Sequence, residues 1–210
     1  DKKVNIHIVD GKIRSLDSDI VTVERSIDLK GKLVLPGIID PHVHFRDFEQ
    51  THKEDFLSGS KAAAAGGVTT VLDMPSTKPV VDSEEMLEKR REVAKKSVVN
   101  YGFHFAATKE NVDKLKGMRG IASVKLFMDI STGKLMIDDE EKLKKIFENS
   151  RILTTHAEGD NVDKAIEFYK DTKNKLYLCH VALKEEIESV NKSARKLYAE
   201  ATPHHLFLTK

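Results

Sequence analysis

LPGIIDPHVHFRD, residues 35–47, passes from apolar to polar within one short segment. Its first half reads as a buried strand punctuated by Pro36 and Pro41. Its second half carries His42, His44, Arg46 and Asp47. Side chains alternate along a strand, so His42 and His44 point to the same face. Two imidazoles so placed can hold one metal ion, although a lone H-x-H reads equally well as two ordinary histidines. A polar cluster at the C-terminal end of an apolar strand is where a βα barrel builds its active site.

Outward from this segment, short β-type runs alternate with charged helical ones. Strands are expected at 33–44, 69–75, 100–106, 123–129, 151–157, 175–181 and 197–202. Helices are expected near 54–66, 83–97, 109–116, 138–149, 160–171 and 183–194. Ser83, Asp138 with Asp139, and Asp160 supply helix-start signals, and acidic residues there suit the positive end of the helix dipole. Strict alternation implies a parallel α/β fold, either an open doubly wound sheet or a (β/α)8 TIM-like barrel. No glycine-rich dinucleotide fingerprint follows the first strand, which favours the barrel. A barrel needs an eighth strand, so seven are expected here, with the C-terminal part missing. Residues 1–34 look β-rich and form part of a small β-domain, leaving 35–210 for the barrel. KVNIHIVDGKI alternates and turns at Asp10-Gly11, a hairpin signal. IVTVERSIDLKGKLVL is expected to continue with short strands.

Composition is that of an ordinary globular protein, 40% hydrophobic and 33% charged. Thirty-five basic residues balance 34 acidic ones, which offers nothing to nucleic acid or an anionic membrane. Cys179 is the only cysteine, so no internal disulfide can form. No apolar run approaches the roughly 20 residues of a membrane helix, and the N-terminus does not read as a signal peptide. A cytoplasmic location is expected.

The polar strand ends recur. His156 closes ILTT, His180 closes LYLC, and Lys125 sits inside SVKLFM. A buried lysine is costly unless paired or neutralised. It could neutralise Asp73 or Asp129. It could also react with CO₂ to give an anionic carbamate able to bridge two metals. Four histidines and a lysine from four strands suit metal-assisted hydrolysis. Arg46 could also be no more than a salt-bridge partner of Asp47 or Glu49. Cys179 is expected to be small, buried and turned to the face opposite His180. His204 and His205 are expected to be structural, and His7, His52 and His104 ordinary. KAAAAGG reads as a small-residue helix face packed on the barrel and ending at a glycine cap. EKRREVAKK reads as a solvated helix face.

Together, GIIDPHVHFRD, THKEDFLSGSKAAAAGGVTTVLDMPSTKPVVD, SVKLFM, THAEGD, LCHVA and ATPHHLFL resemble the dihydroorotases, a cyclic-amidohydrolase branch of the amidohydrolase superfamily. The resemblance runs from about Leu33 to the last residue and is loose before that. It implies a βα barrel with two Zn²⁺ ions and reversible hydrolysis of dihydroorotate to N-carbamoyl-L-aspartate, a step of pyrimidine synthesis. His42 and His44 match the ligands of the first zinc, Lys125 the carbamylated bridging lysine, and His156 and His180 the ligands of the second. Arg46 matches the arginine that binds the substrate carboxylate, which a planar bidentate fork suits. Two departures stand out. Ser76 replaces the usual asparagine of M-P-N-T, which also contacts that carboxylate; with a shorter reach it can still donate one hydrogen bond and is expected to bind the carboxylate together with Arg46. The family's last metal ligand, an aspartate that is also its general acid/base, would lie past Lys210, as would a substrate-binding histidine. The rival readings are a related cyclic amidase of the allantoinase or dihydropyrimidinase type, and a non-catalytic scaffold that binds aspartate transcarbamoylase. A homo-oligomer is compatible with any of them.

Overall fold

The chain's computed structural model describes residues 3–19, 22–131 and 134–208. It divides into two compact units, Asp1–Pro36 and Gly37–Lys210.

In the first unit, β1 (Asn5–Val9) and β2 (Lys12–Asp17) form an antiparallel hairpin. Asp10 and Gly11 turn it with φ of 50° and 70°. Two successive positive φ values are what a two-residue type I′ turn demands, and Asp-Gly supplies them at least cost. The short strands expected across 20–35 do not appear among the described residues 22–35. Leu33, Val34 and Leu35 there are exposed. Alternating apolar residues make a strand only beside a hydrogen-bonded neighbour, and none is found for them among the described residues.

The second unit is built on a parallel sheet whose seven strands follow chain order. They are β3 (Ile38–Val43), β4 (Val68–Asp73), β5 (Asn100–Ala106), β6 (Ser123–Phe127), β7 (Ile152–His156), β8 (Lys175–Leu178) and β9 (Tyr198–Ala199). Helices α1 (Phe56–Ala65), α2 (Glu84–Ala94), α3 (Glu140–Asn149), α4 (Asp160–Lys170) and α5 (Lys184–Lys192) lie between strands, and the short α6 (Pro203–Phe207) follows β9. Six spacings of a flat sheet would hold the two edge strands about 29 Å apart. Yet the His42 ring on β3 touches the Glu200 carboxylate directly after β9. The sheet therefore curls round as a barrel does. His104 on β5 likewise reaches across to the Pro41 carbonyl, 2.9 Å away.

Alternation along the strands sorts residues to the two faces. Val124, Leu126, Leu153, Leu176 and Leu178 face outward and pack with Leu143, Ile146, Val162, Ala165 and Tyr169 of the helices. A second outer cluster joins Phe45, Phe56, Val71, Leu87 and Phe103. The inner face is polar. There Ser123 Oγ lies 2.7 Å from His104 Nδ1 and 2.6 Å from Thr154 Oγ1. His104 is thus a buried structural link across the barrel floor.

Four expectations change here. Residues 109–116 give only a single 3₁₀ turn, Val112–Lys114. Asn111 spends its amide on the carbonyls of Asp82 and Ala106, both at 2.9 Å, tying the loop down before a helix can run. Gly117 and Gly120, at φ of 85° and 70°, then turn the chain. The alanines of KAAAAGG are mostly exposed. The close approach of α1 is made by Gly59 instead, where a Cβ would fall 2.4 Å from the Phe45 ring. EKRREVAKK is not wholly solvated either, because Arg90 is fully buried. Ser83 and Asp139 cap α2 and α3 through their side chains as expected. Gly159, not Asp160, occupies the cap of α4.

Candidate active site

The four histidines among the five expected metal-ligand positions meet at the C-terminal ends of their strands. His42 and His44 face one another with their Nε2 atoms 3.2 Å apart. His156 Nδ1 and His180 Nε2 are 2.8 Å apart. The His42 and His180 ring centroids lie 5.8 Å apart, so the two pairs are neighbours. Lys125 enters from below on β6, one inward position before Phe127, which is in register with His156. Its positive charge is felt by all four histidines.

Lys125 is 1% exposed, and its hydrogen bond goes to Cys179 Sγ at 2.8 Å. The carboxylates suggested for it are engaged elsewhere. Asp73 binds Arg90, and Asp129 accepts from the Glu158 amide and the Asn161 side chain. Cys179 does not turn away from His180 as alternation predicts. His180 has φ of 38°, a left-handed conformation unusual for a residue with a Cβ. That twist breaks the alternation, so both side chains enter the site.

The donor set fits metal ions. A tetrahedral ion at ~2.0–2.1 Å from two nitrogens holds them about 3.3 Å apart. The His42–His44 pair already has nearly that spacing, and the His156–His180 pair needs to open by about half an ångström. His156 Nε2 is buried with no hydrogen-bond partner among the described residues, since Glu158 stays 3.5 Å away.

The site holds most of its imidazoles neutral. Burial, helped by the charges of His42, Arg46 and Lys125, pushes His44 down to about 3. Burial and then Lys125 lower His180 to about 4, and the same two causes lower His156. Burial takes His104 to about 4. His42 differs. Burial opposes its charge, but hydrogen bonds to Cys179 and Glu200 raise it to about 9.

The sign of the resulting pH dependence follows. Four histidines are protonated near pH 6.5 when unfolded but resist protonation when folded. The unfolded state then binds more protons, so stability present above pH 6.5 is lost as pH falls through about 4. His42 is protonated in both states below pH 6.5 and does not offset this. Urea titrations of the metal-free protein are expected to show falling stability from pH 6.5 to 4. A flat profile over that range would contradict the neutral-imidazole assignment.

Arg46 lies beside these pairs and pairs with neither Asp47 nor Glu49. Its Nη1 donates to the Ser76 carbonyl at 3.3 Å. Asp47 instead accepts from Lys96 and from the Phe56 amide. Ser76 is 1% exposed, and its hydroxyl lies 3.3 Å from His44 Nδ1. The segment is held from behind by Arg90, which donates to the carbonyls of Phe45 and Asp47 and pairs with Asp73 at 2.7 Å. Asp73 in turn accepts from the Phe45 amide at 2.9 Å. Of the late histidines, His205 lines a cavity of about 450 Å³ with His156, His180, Glu158 and Glu186. Its ring also accepts weakly from the Thr202 amide, 3.4 Å away.

Residues 33–208 match the sequence model described as the Amidohydrolase family. The chain belongs to the amidohydrolase family. Similar relatives are named dihydroorotase. The one from Methanosphaera stadtmanae is 32% identical over 99% of this chain and 57% of its own length. Those from Methanothermobacter thermautotrophicus and Pyrococcus abyssi are each 35% identical, over 99% and 98% of this chain and 55% and 54% of theirs. The chain thus spans about half the length of the curated relatives it matches. Among solved structures, the L-hydantoinase (dihydropyrimidinase) of Arthrobacter aurescens superposes with a TM-score of 0.89 at 22% identity. It is covered over 97% of this chain and 55% of its own. The dihydroorotase of Saccharomyces cerevisiae gives 0.64 at 20% identity, over 81% of this chain and 57% of its own. At these identities the two structures match this chain in fold alone. No helix among the described residues is long and apolar enough to cross a membrane.

Proposed function

We propose that this amidohydrolase is a dihydroorotase, hydrolysing the ring amide of dihydroorotate to N-carbamoyl-L-aspartate and catalysing the reverse closure. The observation that carries the reading is the meeting of two imidazole pairs around a buried lysine, with Arg46 at their edge. His42 and His44 would hold one Zn²⁺, His156 and His180 a second, and Lys125, as its carbamate, would lie between them. When bound, such ions polarise a carbonyl and lower the pKa of water. The protein's part is positioning. Ser76 fixes the His44 ring through Nδ1, and the neutral states of His44, His156 and His180 leave lone pairs free for ligation. Arg46 offers a guanidinium to the substrate carboxylate, so the ring amide is presented to the imidazole pairs. Turnover of dihydroorotate by the full-length protein with zinc and bicarbonate tests this, and no turnover would sink it.

A second reading is a hydantoinase-type cyclic amidase, because a D-hydantoinase superposes with a TM-score of 0.83 at 26% identity. Arg46 separates the two. Arg46→Ala is expected to raise KM for carboxylated substrates by about 10–100-fold, the loss of one charge-assisted pair of ~1.5–3 kcal/mol. Rates on uncarboxylated cyclic amides should hardly change. Equal losses on both substrate classes would remove Arg46 from carboxylate recognition.

A further inference from the structure

We infer that Glu200 is a positioning residue for the metal centre, orienting His42 and His180 together; this rests on the metal-site reading above. The carboxylate stands directly after β9, and three groups converge on it. Glu200 Oε1 contacts His42 Nδ1. The same oxygen accepts from the His180 backbone amide at 3.2 Å. Oε2 accepts from the Tyr177 hydroxyl at 2.7 Å. His42 Nε2 is thereby left facing His44 Nε2. A carboxylate on one ring nitrogen fixes the tautomer and aims the other nitrogen at a metal.

The second contact acts on the other pair. The His180 ring lies beside His156, with centroids 4.7 Å apart, on a backbone in the left-handed conformation. A residue with a Cβ keeps that conformation when its surroundings hold it there. The Glu200 oxygen supplies an acceptor for that amide. One carboxylate therefore serves a ligand of each pair, and does so across the two edge strands of the sheet. Glu200, His42 and Cys179 also offer donor atoms within 4.8 Å of one another, which makes direct ligation the competing role. Against it, His42 would have to give up the Nδ1 contact and turn its lone pair away from His44.

The test is metal affinity in the full-length protein, stripped and titrated with Zn²⁺ against a chromophoric chelator, with Co²⁺ as the spectroscopic probe. Glu200→Gln is expected to keep the thermal midpoint of the metal-free protein and weaken binding by about 10-fold, and Glu200→Ala by about 100-fold. Tyr177→Phe should weaken it a few-fold. The Co²⁺ band should keep its position in Glu200→Gln, because the ligands are unchanged. Wild-type affinity in Glu200→Gln overturns the proposal. So does loss of a whole metal equivalent with a shifted Co²⁺ band, which would make Glu200 a ligand. If Glu200 variants do not fold, wild-type affinity in Tyr177→Phe overturns it. His42→Ala is the control. Unchanged metal binding there would defeat the metal-site reading itself, and this proposal with it.

Discussion

Lys125→Ala is expected to lower turnover by at least about 10³-fold, ~4 kcal/mol of barrier, and to strip metal from the full-length protein. The side chain is buried, lies beneath both histidine pairs, and has a thiol rather than a carboxylate as its hydrogen-bond partner. A lysine kept only for packing would lose stability on truncation but not metal. A lysine that becomes a bridging carbamate leaves both pairs short of one anionic ligand. Truncation also opens a cavity where the amine stood, and a short carboxylic acid can enter it and stand in for the carbamate. Acetate or propionate should therefore restore part of the metal content and part of the turnover. Elemental analysis with and without the acid reads this out. Zinc content equal to wild type in Lys125→Ala would make the lysine structural.

Arg90→Ala is expected to destabilise the fold by about 3–5 kcal/mol, because it leaves the Asp73 carboxylate buried without its counter-ion. At about 2–4 °C per kcal/mol for a chain of this size, the thermal midpoint should drop by roughly 6–20 °C. Arg90 is also stacked near Phe48 and Phe56, at 5.1 and 4.6 Å from the ring centroids, so cation–π contacts are lost too. Replacing both partners together, as Arg90→Met with Asp73→Leu, should recover much of the loss, since a buried pair is often matched by apolar residues of similar volume. The recovery should be incomplete, because the carbonyls of Phe45 and Asp47 stay without their donor. Denaturant titration of Arg90→Met, Asp73→Leu and the double variant gives the coupling directly. A loss below about 1 kcal/mol in Arg90→Ala would mean that the clamp contributes little.

The sequence made the parallel order of strands and the polar strand ends legible, because both rest on local periodicity, whereas the sorting of the histidines into pairs comes only with the family resemblance. His42 and His44 follow from alternation alone. His156, His180 and Lys125 follow from standing at or in apolar runs. Cys179 was placed on the wrong face because alternation assumes an extended backbone, and the left-handed turn at His180 has no sequence mark. Arg90 was hidden inside a charge run. The signal was present in the helical period. Leu87, Arg90 and Ala94 are the buried positions of α2, so the arginine occupies a stripe otherwise apolar. Its partner Asp73, on β4 some seventeen residues earlier, could not be paired with it without the fold. The helix expected at 109–116 failed because Asn111 found better acceptors in neighbouring loops than in its own turn. Glu200 was missed for a different reason. It stands at a strand end, as the histidines do, but carboxylates are so common on exposed strand ends that one alone marks no site.

The clamp behind residues 45–47 has an evolutionary corollary. Arg46 is fastened through its neighbours' carbonyls from the helix side of the sheet, whereas the imidazoles are fastened from the barrel interior by Ser76 and Glu200. The anchor on the helix side does not use the Arg46 side chain, which on the other side donates to the Ser76 carbonyl. Exchange at position 46 leaves the backbone anchor and the contacts within the imidazole pairs in place with the loss of one hydrogen bond to Ser76, so under the proposed role of Arg46 a lineage could change the group it recognises in a single step. Selectivity in such a scaffold would be a replaceable part, and the residues proposed to hold metal would be inherited intact.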